Sequence, residues 1–168
     1  MENKAYKHWL TIACLCGLAA SSIGICQNTP GVFYTPVSES LGVLRGTFAM
    51  HATLQSLAIA VTALFMPKLM KKVKYKLLIS IGVIMSVLST IGMAYSTNVY
   101  MFYVLGIIRG VGSGLFAIMP ITTIITNWFK EKHGLATSIA LSFSGLAGAI
   151  CSPVLSSCIN TLGWQKAY

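Results

Sequence analysis

The stretch VYMFYVLGIIRGVGSGLFAIMPITTIIT, residues 99–126, decides the fold class of this chain. It carries one charged side chain, Arg109, among residues that are otherwise apolar, small or hydroxyl-bearing. A helix rises about 1.5 Å per residue, so this stretch is long enough to cross the roughly 30 Å hydrocarbon core of a bilayer. The stretch therefore predicts a membrane-spanning helix.

The composition of the whole chain leads to the same prediction. Of its 168 residues, 55% are hydrophobic and 9% are charged, whereas a soluble domain carries about 25% charged residues to solvate its surface. This balance excludes a soluble enzyme and a nucleic-acid-binding module, so we expect no nucleic acid as a partner. The five cysteines all lie in apolar stretches, where they are expected to pack as free thiols, with no metal or other cofactor.

Four further stretches are apolar enough to cross a bilayer, and the connections between them are short, as in packed bundles. The predicted spans are residues 8–37, 47–66, 77–95, 99–126 and 135–159, and a sixth begins near residue 164. We therefore predict an all-α membrane protein, a single incomplete helical bundle over residues 1–168 that contacts the lipid bilayer.

The basic residues predict the orientation, because Lys and Arg near span ends resist translocation. Only Arg45 and Lys166 lie on one side, and Arg109 lies within a span. The other nine share the side of the amino terminus: Lys4, Lys7, Lys68, Lys71, Lys72, Lys74, Lys76, Lys130 and Lys132. We expect a multi-pass plasma-membrane protein, of the bacterial inner membrane, with a cytoplasmic amino terminus. A cleavable signal peptide is the alternative, although the apolar character continues to Cys26.

Arg109 is the main candidate for function, because a guanidinium near the middle of a membrane costs at least about 2.5 to 3.5 kcal/mol. No Asp or Glu lies in any predicted span, so its partners within this chain are carbonyls, hydroxyls, water or a bound anion. One interpretation places Arg109 in a substrate pathway. The other is structural: Arg109 binds the backbone at the broken end of a neighbouring helix.

Two polar groups accompany it. His51, Gln55 and Thr62 fall on one face of the second span, where His51 either forms an interhelical hydrogen bond or takes part in proton coupling. In the first span, Gln27 and Asn28 precede Pro30 and Gly31, which loosen the helix and free carbonyl groups. This break either lines a pathway or only shapes the bundle.

Small residues repeat every four positions in spans four and five, which allows another helix to approach closely. We predict helix packing at Gly106, Gly110, Gly114, Ala140, Ser144 and Gly148. The chain has no H-E-x-x-H, G-x-S-x-G or phosphate-binding loop and no pair of carboxylates for acid–base chemistry. We therefore expect no enzymatic activity and no catalytic residue.

Several segments resemble the amino-terminal half of a major facilitator superfamily carrier, most closely the monocarboxylate and oxalate–formate porter branch. The most specific is NWFKEKHGLAT, residues 127–137, which is similar to that branch's opening of helix five. GWQKAY at 163–168 resembles the start of helix six, and PGVFYTPV at 30–37 with LGVLRG at 41–46 resembles the passage from helix one to helix two. The resemblance implies five helices and the start of a sixth, from a bundle of twelve.

The family's loop motif between helices two and three, Gly-x-Leu-x-Asp-Arg-x-Gly-Arg-Arg, is only partly present at PKLMKKVKYK, residues 67–76. Leu69, Lys72 and Lys76 fit this motif, but Lys71 stands at the Asp position. The gating role attributed to the motif is therefore in doubt. Arg109, followed by glycines, matches the family's helix-four arginine, which implies a place near the pathway.

The resemblance implies a secondary transporter fragment that moves a small, monocarboxylate-type organic anion by alternating access. Arg109, Gln27, Asn28, His51 and Gln55 are the expected pathway residues. The expected partners are the solute, a missing carboxy-terminal half and, as an open alternative, a coupled proton. A truncated membrane protein that acts as an assembly or interaction subunit is the competing hypothesis.

Overall fold

The computed structural model describes the backbone of residues 2–128 and 133–168, and the side chains of residues 10–127 and 133–168. Helices account for nearly all of this part of the chain, and no strand occurs within it. The elements in order are α1 (Glu2–Ala19), a π-helical segment (Ala20–Asn28), a 3-10 turn (Pro30–Phe33), α2 (Tyr34–Leu41), α3 (Arg45–Lys72), α4 (Tyr75–Ala94), α5 (Val99–Phe116), α6 (Ile118–Trp128), α7 (His133–Leu162) and α8 (Trp164–Ala167).

Five of the resulting helical stretches are long and apolar enough to cross a membrane: Leu10–Leu41, Arg45–Lys72, Tyr75–Ala94, Val99–Asn127 and His133–Leu162. Large apolar side chains such as Leu57, Leu64, Leu88 and Ile150 project outward from them. An outward apolar surface is what a bundle surrounded by lipid requires, because lipid cannot solvate polar groups. The all-helical membrane fold predicted from the sequence is therefore confirmed.

Helix α5 occupies the centre of one group of helices, where it packs between α3 and α4. In a second group, α7 lies along α1 and the π-helical segment, and α6 contacts both α1 and α7. Leu15, Ala19, Ile121, Ile125 and Ala140 form the buried core of the second group. The π-helical segment also contacts α5, so the irregular part of the first span is one of the places where the two groups meet.

The helices differ in detail from the predicted spans. Helix α3 continues to Lys72 and includes Pro67, so the second helix extends beyond the predicted 47–66 span. The stretch 99–126, treated as one span, is divided at Ala117, whose ψ of −141° is not helical. Pro120 explains the division, because it has no N–H for the Phe116 carbonyl four residues earlier and its ring clashes with that carbonyl.

Candidate functional site

The site is organised around one backbone carbonyl, that of Cys26 in the π-helical segment. In a regular helix this carbonyl would accept a hydrogen bond from the backbone N–H of residue 30, but residue 30 is proline and has none. The neighbouring carbonyl of Ile25 accepts a hydrogen bond from the Thr29 hydroxyl. The break therefore leaves the Cys26 carbonyl to be satisfied by other helices, because a buried polar group without a partner is costly.

Arg109 supplies one of the donors. Arg109, on α5, is 5% exposed, and its guanidinium Nη2 donates to the Cys26 oxygen at 3.2 Å. Its Nη1 lies 3.9 Å from the Met93 sulfur, a weak acceptor, and its buried Nε has no partner among the described residues. No carboxylate pairs with Arg109 in the part of the chain that the structure describes, so the positive charge is uncompensated there.

Gln55 supplies the second donor. Its Nε2, on α3, donates to the same Cys26 oxygen at 3.3 Å, and its side chain is 4% exposed. Gln55 and Arg109 thus join α3 and α5 to the break in the first span. The bond from Arg109 to the Cys26 carbonyl is the backbone contact that the structural interpretation expects. The guanidinium Nε still has no partner among the described residues.

His51 lies one turn before Gln55 and is fully buried among aromatic rings. Its ring centroid is 4.5 Å from that of Phe48 and 5.8 Å from that of Tyr34. The Nδ1 lies 2.6 Å from the Phe48 carbonyl oxygen of its own helix, and the Nε2 has no partner in the part of the chain that the structure describes. The expected interhelical hydrogen bond of His51 is therefore wrong, because its one hydrogen bond among the described residues is to the preceding turn of its own helix.

The other expected polar residues make no hydrogen bond to the guanidinium within the described residues. Thr62 also bonds within its own helix, to the Ala58 carbonyl at 2.7 Å. Gln27 is half-buried beside Cys26, whereas Asn28 is exposed. Asn28 lies against α7, since a Cβ added at Gly148 would be 3.1 Å from the Asn28 Cβ. Of the five expected pathway residues, the structure brings Arg109 and Gln55 together.

Glycines bring α3 and α5 close enough for these contacts. A Cβ added at Gly106 would lie 2.9 Å from the His51 oxygen, and one at Gly114 would lie 2.8 Å from the Thr62 Cβ. At Gly110 it would overlap the Gln55 carbonyl oxygen. Backbone contacts of this kind leave no room for a side chain.

The small residues of α7 contact the first span. A Cβ added at Gly24 would lie 2.8 Å from the Ser144 carbonyl oxygen, and Gly148 faces Asn28 as described above. Ala140 is completely buried against the core of α1 and α6. These contacts keep the π-helical segment against α7 on one side while Arg109 and Gln55 bind it from the other.

Two cavities adjoin the guanidinium region. The smaller, of about 80 Å³, is lined by Arg109 together with Thr29, Thr90 and Tyr168. The larger, of about 290 Å³, is lined by Cys26 and Ser86 and shares Thr90 and Tyr168 with the smaller one. Cavities of this size hold water or a small solute.

Three of the residues around Arg109 were not identified from the sequence. Tyr168 lines the smaller cavity together with Arg109, and its buried hydroxyl has no hydrogen-bond partner by distance and angle within the described residues. Met93 and Thr90 lie on α4 and look like ordinary members of an apolar helix. Only Pro30 could have pointed to this site from the sequence. Because proline has no backbone N–H, the Cys26 carbonyl four residues earlier needs another hydrogen-bond donor.

The residues that fit the loop motif lie at the facing ends of two helices. Leu69 and Lys72 lie in the last turn of α3, and Lys76 lies in the first turn of α4.

Lys130 and Lys132, which contribute to the predicted orientation, lie outside the described residues, as do residues 129–132 of the helix-five segment. No group of His, Cys, Asp or Glu that could hold a metal occurs in the residues that the structure describes.

Comparison with known proteins finds a matching family and several transporters with similar sequences. The sequence profile of the Major Facilitator Superfamily matches residues 15–168. A probable sulfoacetate transporter of Cupriavidus necator is 30% identical over 133 residues, which cover 78% of this chain and 29% of that protein. Monocarboxylate transporter 2 of Homo sapiens is 24% identical over 164 residues, covering 95% of this chain and 33% of that protein.

A third relative, an uncharacterized transporter of Bacillus subtilis, is 20% identical over 143 residues, which cover 84% of this chain and 35% of that protein. The chain thus spans about a third of the length of these relatives, or less. No solved structure matches the chain.

Proposed function

Because this chain belongs to the Major Facilitator Superfamily, we propose that it forms the amino-terminal half of a secondary transporter for a small organic anion. The observation that carries the proposal is Arg109, a buried guanidinium whose Nε has no partner and whose charge faces no carboxylate among the described residues. An uncompensated positive charge at membrane depth favours an anionic ligand. Relatives named for sulfoacetate and monocarboxylate transport support an anion with one or two acidic groups.

In the proposed mechanism, a carboxylate or sulfonate enters the cavity between this half and a second half and pairs with Arg109. The buried Tyr168 hydroxyl, which has no partner among the described residues, offers a further hydrogen bond. Alternating access then exposes the cavity to each side of the membrane in turn, as in two-half carriers. The Cys26 carbonyl holds the guanidinium in place, because it fixes one of the two terminal nitrogens.

The lysine distribution supports a cytoplasmic amino terminus and a place in a plasma membrane, of the bacterial inner-membrane type. We assign His51 a structural role. Its Nδ1 is bonded to the Phe48 carbonyl oxygen of its own helix, and its ring packs against the rings of Phe48 and Tyr34.

The test is uptake of a labelled small carboxylate and a labelled sulfonate by cells that express the full product of the gene. Arg109→Gln removes the charge but keeps an amide donor for the Cys26 carbonyl, and Arg109→Lys keeps the charge. We expect Arg109→Gln to raise the apparent KM about ten- to a hundredfold, the usual loss for one hydrogen bond to a charged group. Arg109→Lys should retain part of the affinity.

Arg45→Gln is the control, because Arg45 is an exposed cation at the start of α3 and its loss should leave uptake unchanged. Surface expression and thermal unfolding are measured for each variant, so that misfolding is recognised. Unchanged uptake by well-folded Arg109→Gln protein would mean that the guanidinium serves only the backbone.

A further inference from the structure

A cluster of lysines at the end of α3 has no part in the proposed transport site. Five lysines occur between residues 68 and 76, and all five side chains are exposed. No Asp or Glu occurs in the sequence from residue 40 to residue 130. No ion pair of these lysines is found within the described residues. The cluster is therefore a concentrated positive charge directly beside a membrane-spanning helix.

Three of the lysines border an open groove of about 380 Å³. Its polar rim is Lys68, Lys71 and Lys72, and its apolar lining is Phe65, Leu69 and Val73. Two parts of this lining are held in place. Leu69 and Val73 pack against the buried cluster that contains Met66 and Leu78, and the Val73 N–H donates to the Leu69 carbonyl at 2.9 Å.

The spacing of the rim lysines needs an explanation. Lys71 and Lys72 lie in the last turn of α3, where a positive charge interacts favourably with the helix dipole. Lys68 lies one turn earlier, where that effect has faded. It is also three and four residues from Lys71 and Lys72, a spacing at which like charges destabilise a helix. An anion held between these three side chains would remove the repulsion.

We propose that this groove binds an anionic phospholipid, with the phosphate between the three lysines and part of an acyl chain along Phe65 and Leu69. Charge complementarity selects an anion, and the apolar lining beside a membrane-spanning helix favours a lipid over free phosphate. Lys71 stands where the family motif has an Asp, a residue that would repel a phosphate. The site is independent of the proposed transport function.

The experiment is native mass spectrometry of the purified protein in neutral detergent, titrated with phosphatidylglycerol and with phosphatidylcholine of the same acyl chains. We expect at least one phosphatidylglycerol to bind in clear preference to phosphatidylcholine. Lys68→Gln with Lys72→Gln should weaken that binding by about 25-fold, from roughly fivefold for each lysine at a membrane surface.

Lys74→Gln with Lys76→Gln is the matched control, because it removes the same charge from the same segment but from residues that do not line the groove. We expect this control to change binding less than about threefold, because it weakens only the long-range attraction between the lysine cluster and the anionic lipid. Lys68→Arg with Lys72→Arg should keep the preference, which separates loss of charge from damage to the helix end. Circular dichroism monitors folding of every variant.

Three outcomes would overturn the proposal. The wild-type protein could bind the two lipids equally, or the two glutamine pairs could weaken binding to the same extent, which would leave only a diffuse charge effect. Displacement of the bound lipid by inorganic phosphate at about 10 mM would instead identify a site for a free anion.

Discussion

Gly110 offers the sharpest test of the packing that positions Arg109. A Cβ added there would overlap the Gln55 carbonyl oxygen and lie 2.7 Å from the Ala58 Cβ. Both obstacles are rigid, so α3 and α5 must separate to accommodate Gly110→Ala. Overpacking of this kind costs about 1 to 3 kcal/mol, and a clash with backbone places the expected cost near 3. The better helix propensity of alanine offsets about 1 kcal/mol.

The net loss is therefore about 2 kcal/mol, or a fall of roughly 4–8 °C in the Tm of a chain of this length. Gly145→Ala is the matched control, because nothing lies within 4 Å of a Cβ added at that helical position. It should leave the Tm unchanged or raise it by a few degrees. The assay is thermal unfolding of both purified variants in the same detergent. Equal shifts for the two substitutions would refute the close packing of α3 on α5.

Three further predictions concern orientation and the site. In a cysteine-free background, Lys74→Cys should react with a membrane-impermeant maleimide only after the cells are permeabilised, whereas Asn98→Cys should react in intact cells. The reverse pattern would mean that the proposed topology is inverted. His51→Phe should leave the pH profile of uptake unchanged and lower the Tm modestly, because one hydrogen bond of about 1 kcal/mol is lost; an altered profile would show that His51 handles protons. Gln55→Leu should cost about 1 kcal/mol alone but less in a Pro30→Ala background, because alanine restores a backbone donor to the shared carbonyl; additive effects in unfolding experiments would contradict this.

The membrane fold and the family could be predicted from the sequence, because both depend on features that a single chain displays. Apolar length and the near absence of charge determine which segments cross a bilayer, and the helix-five segment and Arg109 carried the family resemblance. The ends of the helices were less predictable. The division at Ala117 follows from Pro120, a residue with a clear local effect that a count of apolar residues ignores.

In the site, too, features that depend on neighbouring residues in the sequence could be predicted, whereas contacts between helices could not. Periodicity indicates that Gly106, Gly110 and Gly114 share a face, but it does not say which helix they contact. His51 bonds its own helix, whereas Gln55 bonds the first span. This difference depends on the rotation of α3 about its axis, which is set by the neighbouring helices and not by the sequence of α3 itself. Tyr168 could not be placed at all, since nothing near it in the sequence specifies a partner.

The Cys26 carbonyl connects these observations, because it makes the break in the first span and the buried charge parts of one arrangement. Pro30 removes the donor that a regular helix would provide, and Arg109 and Gln55 replace it from two different helices. A guanidinium held by one neutral carbonyl keeps its full charge, whereas a carboxylate partner would have cancelled it. The carbonyl can therefore fix the direction of Arg109 and still leave its charge available to an anion, which a salt bridge in the same position could not do.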